Sequence, residues 1–226
     1  MIKIKPQVLL LVLLLAGVVL SLYSADADWQ MQANVLRDSV ILIWMVSLFN
    51  MLVGNGLGRL LGIRPRQPLG LLGIPFSPLV HRDLGHLIAN TVPLLVLGWL
   101  ILVSGELGGD SDFYGVTIII LLIGGLGTWL FGRNAIHLGA SGIIFGYIGF
   151  LLISGYTGPT ILTISFALIV FLIYGDQLRS MLPIAQAKEI SWEGHLFGFA
   201  GGIVAGTRPD LLTTVGEALD RLGQSL

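Results

Sequence analysis

Four residues in this sequence have the types and spacing that acyl-transfer chemistry requires: Ser141, His195, His86 and Asn90. Ser141 stands in the run Gly139-Ala140-Ser141-Gly142, and His195 in Gly194-His195-Leu196-Phe197-Gly198. A serine hydroxyl is a poor nucleophile until a base takes its proton, and histidine titrates in the useful range. His195 would be that base, and then the acid that protonates the leaving amine. A tetrahedral oxyanion needs hydrogen-bond donors. The Ser141 backbone N–H, the Asn90 amide and the His86 ring can supply them, because residues four apart share one helix face. No Asp or Glu is expected inside a membrane span to orient His195, so the sequence predicts a dyad rather than a triad.

The elements that must position these residues are membrane helices. The chain has 226 residues, 54% of them hydrophobic and only 11% charged. A soluble domain carries about 25% charged residues, so most of this surface must face lipid. Spans need about 20 mostly apolar residues, and seven candidates lie near 7–23, 39–58, 84–103, 114–132, 141–157, 160–175 and 193–207. The runs lack the period-two alternation of barrel strands, which leaves helices. Net charge is −1 and gives no reason to expect nucleic acid. The absence of cysteine removes disulfides, thiolate metal sites and thiol nucleophiles together.

Span parity brings the four residues to one face of the membrane. Spans three, five and seven begin on the same side, and His86, Asn90, Ser141 and His195 lie at or near those beginnings. The polar stretch 132–138 before Ser141 can line a wet opening. Gly194, Gly198, Gly202 and Gly206 recur every fourth residue, and Gly142 with Gly146 offers a matching surface. The two stripes predict close packing of the Ser141 and His195 helices. Each motif also has a plainer reading. A Gly-Ala-Ser-Gly run alone can be simple helix packing, an intramembrane Asn can just bond a neighbouring helix, and His81 and His137 fit interfacial positions.

Three further segments frame the core. Residues 7–23 follow Lys3 and Lys5 and precede Ala25-Asp26-Ala27, the outline of a signal peptide; a retained anchor helix is the expectation. The connection 59–83 is too broken by Gly and Pro to span and too apolar to float, so it should lie in the interface or dip into the membrane. The tail 208–226 reads as a short surface helix. The expected organisation is an N-terminal segment 1–38, a core 39–207 and a polar tail 208–226.

At these motifs the sequence resembles the rhomboid family of intramembrane serine proteases. The matches are His81, His86 and Asn90 in their spacing, Gly139-Ala140-Ser141-Gly142, and Gly194-His195 continuing to Gly202, in the family's order. The resemblance implies an all-α membrane fold, with a rhomboid-like six-helix core and one additional N-terminal hydrophobic helix. It implies Ser141 as nucleophile, His195 as base, and His86 and Asn90 at the oxyanion. It also implies transmembrane protein substrates within the lipid bilayer, with no cofactor and no metal. Two positions depart from the family pattern. Phe145 stands where a tyrosine often stacks on the catalytic histidine, and the first loop lacks the common tryptophan-arginine pair. A catalytically silent, client-binding rhomboid-like protein is the alternative, and the intact Ser141 and His195 pair weighs against it. A small transporter would show mid-span charges or a repeated half.

Charge and resemblance disagree on orientation. Lys3, Lys5, Arg59, Arg64, Arg66, Arg82, Arg133, Arg179 and Lys188, nine of the twelve basic residues, fall on the Ser141 side. The positive-inside rule places that side in the cytoplasm, whereas the better-known rhomboids open outward. An integral membrane protein, expected in the plasma membrane, follows from either reading.

Overall fold

The computed structural model describes residues 5–23, 27–104, 110–183 and 191–224. Apolar runs become helices wherever hydrocarbon leaves the backbone no other partner. Among the described residues these are α1 (Pro6–Leu22), α2 (Ala27–Leu52), α3 (Gly56–Leu61), α4 (Gly73–Phe76), α5 (Leu84–Val103), α6 (Asp110–Phe131), α7 (Ser141–Thr157), α8 (Ile161–Tyr174), α9 (Trp192–Thr207) and α10 (Pro209–Gln224). No strand occurs among them; one isolated bridge pairs Ile63 with His137. The fold is the expected helical membrane core with a helix added before it.

Helix ends follow local chemistry. Asp83 caps α5 by accepting from the His86 N–H at 2.8 Å, and Thr160 with Thr163 forms a reciprocal capping box on α8. α2 ends where Gly54 and Asn55 adopt φ of 71° and 61°, left-handed values that a helix cannot continue through. The second span therefore stops earlier than the expected 58, and the apolar residues beyond it form the separate α3. Its N-terminal end begins at Ala27 instead of 39, because hydropathy marks only the lipid-facing part of a longer helix. The Ala25-Asp26 pair of the signal-like outline lies outside the described residues.

Among the described residues, four helices are long and apolar enough to cross a bilayer: residues Ala33–Leu52 of α2, α5, Phe113–Phe131 of α6, and α8 extended by a 3-10 turn to Met181. α7 and α9 have only 17 and 16 residues. At 1.5 Å per residue, α7 is about 25 Å long against a hydrocarbon core of about 30 Å. It tolerates that shortfall because protein surrounds it: Ile144, Phe145, Tyr147, Ile148, Phe150 and Leu151 are all buried. Ser141 is the first residue of this short central helix.

α7 packs most extensively on α9, and α6 covers α9 from its other side. α1 is seated against α2 and α5, where the Trp99 Nε1–H donates to Ser21 Oγ at 3.1 Å, and reaches α8 through a Gln7 Nε2 bond to the Leu172 carbonyl at 3.1 Å. The 59–83 connection packs against α2, α6 and the loop before α7, and its Ile74 and Val80 are buried. α10 is an amphipathic helix whose Leu212 side chain is buried against the core.

Candidate functional site

The site is assembled at the N-terminus of α7. Its approach is a sharp turn: Gly139 has φ of 104°, which favours glycine. The Gly139 N–H donates to the Ser77 carbonyl at 2.9 Å, and the Ala140 N–H donates to His81 Nε2 at 3.3 Å. His81 is fully buried rather than interfacial. Its Nε2 accepts, so its Nδ1 carries the proton and donates to Ser47 Oγ at 3.0 Å, while the Ser47 hydroxyl donates to the Leu79 carbonyl at 2.9 Å. Burial first, then the neighbouring His86, pushes the His81 pKa down to about 4. His81 is therefore a neutral strut under the nucleophile turn.

His137 also departs from the interfacial expectation, at 4% exposed. Burial holds its pKa below the ordinary histidine value. Nδ1 pairs with Ser191 Oγ at 2.6 Å and Nε2 with the Arg133 carbonyl at 3.1 Å. It ties the loop before Ser141 to the residue that caps the His195 helix, since Ser191 Oγ accepts from the Gly194 N–H at 3.3 Å.

The four expected site residues meet. Ser141, His195, His86 and Asn90 line one cavity of about 740 Å³, together with Phe145, Gln177 and Ser180. The His86 ring lies against Gly139: a Cβ there would sit 2.7 Å from His86 Cε1 and 3.6 Å from Asn90 Nδ2. Residue 142 also approaches the Gly194 carbonyl, a Cβ there falling at 3.3 Å. The chain directly after Ser141 and directly before His195 is thus in van der Waals contact. The Ser141 hydroxyl and backbone N–H have no hydrogen-bond partner among the described residues. The Asn90 Nδ2 is buried without one. An unpartnered buried donor is costly, and Asn90 carries one at the wall of the cavity that Ser141 also lines.

His195 is 7% exposed and is held by two contacts. Phe145 stacks on its ring at a centroid distance of 4.1 Å and an interplanar angle of 11°, so the missing tyrosine hydroxyl does not prevent stacking. On its edge, Nδ1 lies 3.0 Å from Ser180 Oγ. Ser180 has a single hydroxyl proton, and it goes to the Gln177 carbonyl at 2.7 Å. The oxygen must then accept from His195, which puts the ring proton on Nδ1 and leaves the Nε2 lone pair free. Ser180 was not anticipated; nothing in its sequence surroundings marks it.

A second unanticipated residue ties the loop before Ser141 to α9. Glu193, in the first turn of α9, is 1% exposed. Its Oε1 accepts the Arg133 backbone N–H at 3.0 Å and lies 3.7 Å from Arg133 Nε. It makes no hydrogen bond to His195 among the described residues; it joins the loop before Ser141 to α9. Removing one partner of a buried pair typically costs about 3–5 kcal/mol. Arg133 is 36% exposed against 1% for Glu193, so the two deletions differ. Arg133→Ala strands a buried carboxylate and should cost about 3 kcal/mol in detergent unfolding, at the low end because of that exposure. Glu193→Gln keeps the acceptor for the Arg133 N–H and should cost less. Equal losses would mean that the charge pair is not what holds the loop.

The Rhomboid domain profile matches residues 69–208, more than half of the chain and all four site residues. The chain belongs to the rhomboid family. This rhomboid is 39% identical over 202 residues to an uncharacterized protein of Mycobacterium tuberculosis, covering 86% of this chain and 82% of the relative. It is 36% identical to an uncharacterized protein of Mycobacterium leprae, over 78% and 71% of the two chains. It is also 29% identical to RHOMBOID-like protein 1 of Arabidopsis thaliana, over 56% of this chain and 31% of that one. Membership establishes an integral membrane protein, and the helices fit that. Among the described residues no group of three metal-ligating side chains exists.

Proposed function

We propose that this rhomboid is an intramembrane serine endopeptidase that hydrolyses peptide bonds in or near transmembrane segments, working in the plasma membrane. The observation that carries the reading is that His195 and Ser141 line one cavity, with His195 Nε2 and the Ser141 hydroxyl both without a hydrogen-bond partner among the described residues. Ser141 Oγ attacks the substrate carbonyl carbon as its proton passes to His195 Nε2. The carbonyl oxygen becomes an oxyanion, which accepts from the Ser141 N–H, Asn90 Nδ2 and the His86 ring. The C–N bond then breaks, and His195 hands its proton to the leaving amine. Water, activated by His195, next splits the acyl ester and restores Ser141. A site at the start of the short, protein-surrounded α7 supports a reaction on extended segments of membrane proteins.

The test is covalent labelling of detergent-purified protein with a serine-directed fluorophosphonate. A silent client-binding rhomboid would take no label. An enzyme would be labelled once per chain, and labelling would vanish in Ser141→Ala. Label that persists in Ser141→Ala would overturn the assignment.

Ser180 is a positioning residue in this mechanism. A charged aspartate in that role elsewhere is worth about 10⁴ in kcat; a neutral hydroxyl orients the ring without stabilising the imidazolium. Ser180→Ala should lower kcat about tenfold to a hundredfold with little change in KM, and Ser180→Thr should restore most of it. A KM effect without loss of kcat would show that Ser180 shapes the substrate cleft instead.

A further inference from the structure

Beside the catalytic cavity lies a second cleft of about 220 Å³, lined by Asn50, Asn55, Gly58, Arg59, Arg82, Ile136 and Leu138. Its polar lining is made of donors. Arg59 is exposed and has no hydrogen-bond or ion-pair partner among the described residues. Arg82 is exposed and spends one N–H on the Ile136 carbonyl at 3.3 Å. Asn55 accepts from Asn50 Nδ2 at 2.8 Å through its Oδ1, which leaves its own amide N–H groups available. No carboxylate lines the cleft. The nearest acid, Asp83, is turned to cap α5. Two uncompensated guanidinium groups and an amide around one concave space are matched to a phosphate or phosphodiester anion.

The rim identifies which source of phosphate fits. Leu52, Val53 and Leu60 are 85%, 48% and 52% exposed, on the segments that carry Asn55 and Arg59. These apolar side chains stand at the C-terminal end of the candidate span Ala33–Leu52 and on α3, so exposed apolar and basic groups share one end of that span. Basic pockets at span ends are suited to anionic lipid headgroups. We propose that the Arg59 and Arg82 cleft is a binding site for the phosphodiester headgroup of an anionic phospholipid. Arg82, Ile136 and Leu138 also line the catalytic cavity. A lipid held there therefore braces the loop leading to Ser141 from outside. The site stands independently of the protease reading, and its test does not use proteolysis.

The test is native mass spectrometry of the full chain, purified in detergent with equimolar phosphatidylglycerol and phosphatidylcholine. Wild type should retain phosphatidylglycerol preferentially. Each of Arg59→Gln and Arg82→Gln should lower that preference about fivefold, and the lysine variants at the same positions should largely keep it. Arg179→Gln, on the same membrane face but 80% exposed and paired only with Asp176, should leave it unchanged. The Arg59 side chain makes no hydrogen bond or ion pair among the described residues, so Arg59→Gln reads the site with little folding penalty. Unaltered phosphatidylglycerol retention in Arg59→Gln and Arg82→Gln would overturn the proposal. An equal loss in Arg179→Gln would reduce it to surface charge. Displacement of the lipid by inorganic phosphate would assign the cleft to a free anion and overturn the lipid.

Discussion

Ser141→Ala should abolish cleavage of a reporter transmembrane substrate, lowering the rate at least about a thousandfold, and His195→Ala should do the same. The two losses should not add. When nucleophile and base act as one unit, removing either costs about as much as removing both. The double variant should therefore be no slower than the worse single one. The structure predicts that these losses come without unfolding. The Ser141 hydroxyl makes no hydrogen bond among the described residues, so its removal breaks nothing. His195 is different: its Nδ1 bond to Ser180 and its stacking on Phe145 would be lost, so His195→Ala should melt slightly earlier. Cleavage of the reporter in liposomes and thermal midpoints in detergent separate the two effects. Multiplicative losses in the double variant would mean that serine and histidine act in separate steps. Undiminished cleavage by Ser141→Ala would end the dyad assignment.

The sequence was most informative where physics is local. α5 and α7 begin and end at the expected residues because hydropathy, Asp83 capping and the Gly139 turn all act within a few positions. Parity then placed four side chains on one face, and one cavity holds them. The errors come from contacts between distant segments. His81 and His137 looked interfacial because they flank spans, yet both are buried by partners about 34 to 59 positions away: Ser47 and Ala140 for His81, and Ser191 for His137. Glu193 carries no local sign of burial, because its backbone partner, Arg133, sits sixty positions earlier. Ser180 orients His195 only because a 3-10 turn follows α8, and such turns leave little periodic signal. A dyad was expected from the lack of a nearby acid; the Nδ1 partner proved to be a hydroxyl.

Gly202→Val should be among the most damaging substitutions outside the four site residues. Helices in lipid gain no hydrophobic drive from meeting each other, so they associate through close packing. On α9, Gly198 abuts Gly142 and Gly202 abuts Gly146, backbone to backbone. A Cβ at 202 would collide with the Gly146 carbonyl and lie 2.8 Å from the Phe150 nitrogen. Neither is the free end of a side chain, so neither can move aside without displacing α7. Overpacking of a rigid interior costs about 1–3 kcal/mol, occasionally more, and a backbone clash on two sides belongs at the top of that range. Gly115→Ala, on α6, supplies the contrast. There the first neighbour is Leu212 Cδ2 at 3.4 Å, an ordinary contact with the end of a flexible side chain, and alanine regains about 1 kcal/mol of helix propensity. Gly115→Ala should therefore be close to neutral in thermal midpoint, while Gly202→Val loses stability and cleavage together. The coupling follows from geometry: α7 carries Ser141 and α9 carries His195, so any wedge between these helices parts nucleophile from base. A Gly202→Val protein that stays fully stable and active would show that the seam between α7 and α9 is not what sets their distance.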